Sequence, residues 1–166
     1  PEDVSAAAEL ADLLSRRGDD ERALEVWDRV IERGADPALA LARTAEIAIR
    51  LGDWNRANRD VERLLAGPDS AWSGMLLAGS LHLARGDAAA GRAWFARARE
   101  MDPDAPQPLL GLVRAHLAGG DVAGALDVVA EELERRPKNP LAHVLTARLE
   151  DRRDRREAAV TAYEQA

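Results

Sequence analysis

Small and large apolar residues return along this chain with a period of 34, arranged around a recurrent Gly-Asp pair. The pair stands at Gly18-Asp19, Gly52-Asp53, Gly86-Asp87 and Gly120-Asp121, and one more step lands on a degraded copy, Asp154-Arg155. Five residues after each Gly comes a small residue: Ala23, Ala57, Gly91, Ala125 and, in the last copy, Ala159. Nine residues after comes a large apolar one: Trp27, Val61, Phe95, Val129 and Tyr163. Seven residues before stands a mostly small position: Ala11, Ala45, Gly79, Val113 and Ala147. Proline closes the unit at Pro37, Pro68, Pro103 and Pro137. A fixed period over the whole chain is the mark of a repeat architecture.

One unit reads as two helices and two turns. Glycine supplies a left-handed conformation that ends the first helix. The Asp after it caps the second helix by accepting an orphan backbone N–H. Proline ends the second helix and resets the chain. The small residues sit where two helices cross, and the large apolar residue fills the gap towards the next unit, so Trp27, Phe95 and Tyr163 are expected in the core. The pattern predicts helices over 2–16, 20–34, 38–51, 54–66, 70–85, 88–101, 106–119, 122–136, 140–152 and 155–166. A lone hairpin of this length cannot bury its apolar face, so neighbours must stack.

The period, the small-residue pair, the Gly-Asp turn, the aromatic at Phe95 or Tyr163 and the Asp102-Pro103 ending together resemble the tetratricopeptide repeat family. The family's Trp early in the first helix is replaced by Ala7, Leu41, Met75, Leu109 and His143. The resemblance implies an all-α, right-handed α-solenoid. It spans 1–166 as a single repeat domain with units 4–37, 38–71, 72–105, 106–139 and an incomplete 140–166. It also implies that the first helix of each unit lines a concave groove that grips a protein or peptide. Two rows would face that groove: Ala8, Ala42, Leu76, Leu110 and Val144, and, two turns on, Ser15, Ile49, Leu83, Leu117 and Asp151. From the second unit onward they make an apolar stripe of Ile49, Leu76, Leu83, Leu110, Leu117 and Val144. Between them run Asp12, Glu46, Ser80, Arg114 and Arg148, acidic at one end and basic at the other, an order that would orient a bound chain. The partner-binding set is therefore Glu46, Ile49, Leu76, Ser80, Leu83, Leu110, Arg114, Leu117, Val144 and Arg148.

Composition narrows the choice of partner. With 34 alanines and few aromatic or β-branched residues the chain favours helix. A net charge of −7 argues against nucleic acid, which demands a basic face. The cluster Arg152, Arg153, Arg155 and Arg156 alternates with Glu150, Asp151, Asp154 and Glu157 and reads as solvated helix surface. No apolar run reaches the ~18 residues of a membrane span, so direct membrane insertion is not expected. Arginine supplies 22 of the 23 basic residues, which together with the alanine suggests a GC-rich bacterial genome. No signal peptide is legible, and the abrupt start and the end inside a helix suggest a piece of a longer protein. The compartment stays open between cytoplasm and periplasm, with the periplasm favoured by analogy with envelope proteins of the family.

Candidate chemistry is thin. With no cysteine there is no thiolate nucleophile and no thiolate metal site. His82 and His116 are equivalent in successive units, and helices stacked ~8–10 Å apart hold them too far apart to share a metal. The family places aromatic rings there, so they read as packing rings. No carboxylate pair, phosphate loop or Ser-His-acid triad emerges, so no catalytic residue, metal or cofactor is assigned. Trp54, Trp72 and Trp94 read as partly buried. The Lys and Asn set with which chaperone-binding members clamp a carboxylate is missing, since Lys138, Asn55, Asn58 and Asn139 fall outside the groove. The expected function is a protein-interaction scaffold. The alternatives are a cell-envelope assembly component in exopolysaccharide export or secretion, and a substrate-recruiting domain of a larger enzyme. Self-association through open repeat ends is a further expectation.

Overall fold

The computed structural model describes residues 4–33, 37–153 and 155–166. Its ten helices are α1 (Val4–Arg16), α2 (Asp20–Glu32), α3 (Pro37–Leu51), α4 (Trp54–Ala66), α5 (Ala71–Ala84), α6 (Ala88–Met101), α7 (Pro106–Ala118), α8 (Val122–Arg135), α9 (Pro140–Arg152) and α10 (Arg156–Glu164). Among the described residues there is no strand. The ends agree with the sequence to within two residues wherever both are defined. The expected start at residue 2, the end of the second helix at 34 and the degraded turn at Asp154 lie outside the described residues.

The turns explain the agreement. Gly18, Gly52, Gly86 and Gly120 have φ of 80°, 73°, 82° and 74°, the left-handed region that side-chain-bearing residues resist. The Asp that follows caps the next helix in three of the four turns. Asp53 accepts from the Arg56 N–H at 3.0 Å, Asp87 from Ala90 at 3.0 Å and Asp121 from Gly124 at 2.8 Å. Asp19 makes no such cap and pairs instead with Arg22. Asp53→Ala is therefore expected to cost about 0.5–2 kcal/mol and Asp19→Ala less. Denaturation midpoints check this, and equal losses would show that the cap bond is not what separates the two turns.

The chain forms two compact units, Pro1–Arg85 and Gly86–Ala166. In the first, Ala11, Ala23, Val26, Trp27, Val30, Ala40 and Ile47 form a buried cluster from α1, α2 and α3. In the second, Leu109, Val113, Ala125, Val129, Ala142, Leu145 and Leu149 do the same from α7, α8 and α9. Every residue assigned to a helix crossing is buried, from Ala11 and Ala23 to Ala147 and Ala159. The large apolar position is buried as expected at Trp27, Val61, Phe95 and Val129. Phe95 lies over Gly111 of α7, where a Cβ would stand 2.5 Å from the ring's Cγ and Cε1. Tyr163 departs from the expectation: it is 52% exposed, because no further helix covers that face of α10 in this structure.

Polar bonds also tie helices together inside each unit. In the first, the buried Thr44 hydroxyl donates to Asp60 at 2.6 Å, joining α3 to α4. Arg56 of α4 reaches Asp28 of α2 through two hydrogen bonds. In the second, Glu132 is 1% exposed yet charged. It accepts from Arg99 at 3.4 Å, Arg135 at 2.9 Å and Asn139 at 2.8 Å, and pairs with Arg136.

Candidate interaction surface

The expected site residues fall on the first helix of each pair, and neither unit buries them fully. In the first unit, Ile49 of α3 and Leu76, Ser80 and Leu83 of α5 are half-buried, while Glu46 is exposed. Ala8, Ser15, Asp12 and Ala42 are also half-buried. Leu76, Ser80 and Leu83 lie four and three residues apart, so one face of α5 carries all three.

In the second unit, Leu110 is 38% exposed, Arg114 and Arg148 are exposed, and Val144 is half-buried. Leu110, Arg114 and Leu117 share one face of α7; Val144 and Arg148 share one face of α9. Leu117 differs from the rest, because it packs against the buried cluster around Val113 and Val129. Its apolar side chain is partly committed to the fold. Arg114 and Arg148 enter no salt bridge among the described residues, so their charges face solvent.

The acidic positions behave differently. Arg43 of α3 stands between them, with its Nε 3.4 Å from Asp12 and its Nη1 3.2 Å from Glu46. The first unit thus neutralises much of its acidic row internally. Beside this trio Arg50 clasps Asp20, with Nε and Nη2 at 3.0 and 2.6 Å, and its Nη2 also donates to Ser15 at 2.6 Å. Arg50's bond, opposed by burial, holds the Asp20 carboxyl below the usual carboxylate range.

These groups surround a pocket of about 250 Å³, walled by Asp12, Ser15, Arg16, Trp27, Arg43, Glu46, Ile47 and Arg50. Sequence reasoning treated Trp27 only as core and passed over Arg43, although a signal was present. Arg43 occupies the repeat position held by Leu77, Gly111 and Leu145 in later units. The same comparison singles out Glu132, which stands where Val30, Leu64 and Ala98 stand.

His116 and His143 take turn and packing roles. His116 Nδ1 lies 2.9 Å from Asp121, and its ring covers Gly124, where a Cβ would meet Cε1 at 2.6 Å. His143 is buried, with Nε2 2.8 Å from the Pro137 carbonyl. Among the described residues no group of three His, Asp or Glu is placed to hold a metal. Trp54, Trp72 and Trp94 are half-buried, and the Arg97 guanidinium lies 4.6 Å from the Trp94 ring centre. No helix among the described residues is long and apolar enough to cross a membrane.

Sequence models described as tetratricopeptide repeat match residues 8–57 and 42–106, and another of the same description matches 82–149. No curated protein sequence matches the chain. Among solved structures, a thermophilic TPR protein of Thermus thermophilus is similar at TM-score 0.75 and 18% identity, over 99% of this chain and 90% of that one. MamA from Desulfovibrio magneticus is similar at TM-score 0.66 and 15% identity, over 99% and 93%. PilW, a widely conserved type IV pilus biogenesis factor, is similar at TM-score 0.70 and 21% identity, over 99% and 76%. At these identities the likeness is one of fold: all-helical, repeat-built and solenoid in class.

Proposed function

This chain belongs to the tetratricopeptide repeat family, and on that premise we propose that it is an interaction scaffold holding a partner polypeptide against the first helices of its repeats. The observation that carries the reading is the composition of those faces. In α7 an exposed Leu110 stands one turn from an exposed Arg114 that enters no salt bridge among the described residues. In α9 Val144 and Arg148 repeat the arrangement. An apolar side chain beside an available arginine suits an anchor residue on a segment that also carries a carboxylate, and Arg is among the residues enriched at such contacts. The half-buried Ile49, Leu76 and Leu83 offer the first unit's contribution. The family's repeats typically serve as scaffolds.

A second reading is a part in assembling a cell-envelope structure. It is supported by the likeness in fold to PilW, and it makes the partner another component of that assembly. Both readings use the same faces.

The test is capture of partners on the immobilised chain, repeated with Leu110→Asp combined with Arg114→Glu. Both side chains are exposed, so circular dichroism and the denaturation midpoint should stay near those of the native protein, within about 0.5 kcal/mol. Affinity for the captured partner should fall at least about tenfold, the loss of a contact worth about 1.4 kcal/mol. The charge component should show as slower association at low salt that fades as salt is raised. Undiminished binding by a folded double variant would remove these faces from the interface.

A further inference from the structure

Helices α1 and α10 each leave uncovered, among the described residues, a face that the repeat buries elsewhere. On α1, Ala6, Leu10 and Leu13 are exposed, the two leucines at 48% and 53%. Their equivalents one repeat on, Ala40, Thr44 and Ile47 of α3, are buried, and Ala40 and Ile47 share a cluster with Trp27 of α2. On α10, Val160 and Tyr163 are 56% and 52% exposed, and Tyr163 holds the repeat position of Trp27. The bare face of α10 therefore corresponds to what α2 offers α3, and the bare face of α1 to what α3 offers α2.

Charge follows the same register. In the first unit, polar contacts cross the boundary between successive repeats: Arg43 to Asp12, Arg50 to Asp20 and Ser15, and Arg56 to Asp28. Steps of 34 carry these positions to α9 and α10 of one copy of the chain and to α1 and α2 of another. Asp12 and Arg43 become Arg148 and Glu9, opposite in sign with the signs exchanged. Asp28 and Arg56 become Glu164 and Arg22, and Ser15 and Arg50 become Asp151 and Arg16. All six of these residues are exposed. Only Asp20 has a counterpart of the wrong sign, Arg156, which would stand beside Arg16.

We infer that the chain associates with a second copy of itself head to tail, α1 of one copy docking on α10 of the other as α3 docks on α2. Burial of Leu10, Leu13, Val160 and Tyr163 supplies the apolar part of the contact. The pairs Glu9 with Arg148, Arg22 with Glu164 and Arg16 with Asp151 frame it and fix its register. A contact of this kind joins unlike faces, so it needs one intact face from each copy. It does not rest on the scaffold reading.

Sedimentation velocity of the chain from low to high micromolar concentration should show its mass rising with concentration. Leu13→Asp and Tyr163→Asp each spoil one face at an exposed side chain, so circular dichroism should stay unchanged while self-association weakens at least about tenfold. Mixed together, the two variants should recover a complex of one copy of each, because each keeps the face that the other has lost. Arg156→Asp gives Arg16 the acid that Asp20 gives Arg50, and should tighten association at least about threefold. A monomer at every concentration would overturn the inference and leave these faces to another occupant. Undiminished self-association of either single variant would overturn it as well, since like faces would then be pairing. No gain with Arg156→Asp would overturn the register. Leu110 and Arg114 lie on neither face, so failure here leaves the scaffold reading standing, and failure of the capture experiment leaves this contact standing.

Discussion

Gly111→Leu is expected to be among the most damaging single substitutions in the second unit, costing about 3 kcal/mol or more, the upper end for an overpacked core. Gly111 lies under the Phe95 ring, and even a Cβ would stand 2.5 Å from the ring's Cγ and Cε1. Contact at Cγ, close to the backbone, means that swinging the outer ring aside does not relieve it. Leucine is a better helix former than glycine by about 0.5–1 kcal/mol, which offsets only a fraction of the clash. A size exchange isolates the cause. Phe95→Ala alone should cost about 3–5 kcal/mol, since Phe95 is 3% exposed and fills this space. The double variant Phe95→Ala with Gly111→Leu should then lose less than the sum of the two by about 1–3 kcal/mol. Chemical denaturation of the four proteins measures that coupling. Strict additivity would show that Phe95 and Gly111 do not share one contact.

Glu132→Ala is the second large effect, at about 3 kcal/mol. Glu132 is the acid at the centre of Arg99, Arg135, Arg136 and Asn139. Through those arginines α8 is joined to the turn after α6: Arg135 donates to Asp104 at 2.9 Å and also to the Pro103 carbonyl, and Arg136 donates to the Asp104 carbonyl at 3.2 Å. Removing the carboxylate leaves the half-buried Arg99 without one of its two acids and opens a hole. Glu132→Leu supplies instead the side chain that Leu64 places at the equivalent position, and it is expected to lose less, because Arg135 and Arg136 can turn to solvent.

The same acid makes stability depend on pH. Burial pushes the Glu132 carboxyl up, but the bonds from Arg135, Asn139 and Arg136 outweigh it and leave it below the usual glutamate value of 4.5. A carboxyl whose pKa is depressed on folding contributes stability above its unfolded value, and that contribution is lost as pH falls through its folded value. The native protein should therefore lose this contribution below about pH 4.5. Glu132→Leu should show a shallower decline over the same range, by denaturation midpoints taken in steps of pH.

Much of this was legible in the sequence. The 34-residue period located the turns, because only glycine takes the left-handed conformation cheaply and because Asp and Pro have fixed places at helix ends. It also identified the crossing positions: Ala11, Ala45, Gly79, Val113 and Ala147 are all buried. Which residues share one face of each first helix followed from the helical repeat, and Leu110, Arg114 and Arg148 are exposed. What a period specifies, however, is a direction from the helix axis. Whether anything lies in that direction depends on a neighbour. Leu13 shares its repeat position with Ile47, Leu81, Ala115 and Leu149, which are 0–3% exposed, yet Leu13 is 53% exposed, because among the described residues no earlier helix packs against that face of α1. Tyr163 and Phe95 part for the same reason at the other side of the unit. Leu117 was read as groove lining and turns out to lean on the core, since a helix face has no sharp edge between its surface and its buried stripe.

The polar exceptions needed the tertiary structure most. Arg43 and Glu132 break the repeat, and sequence comparison flags each as an oddity without saying what resolves it. Part of what pairs them comes from other helices: Asp12 of α1 for Arg43 and Arg99 of α6 for Glu132. A charge taken out of water is tolerable only where opposite charge and hydrogen bonds converge on it, and that convergence is a property of packed helices. The sequence by itself determined the helices, their turns and the faces they present. Only the packing decided that Glu132 would be a satisfied acid, because that depends on Arg99, distant in the chain, arriving within hydrogen-bond reach.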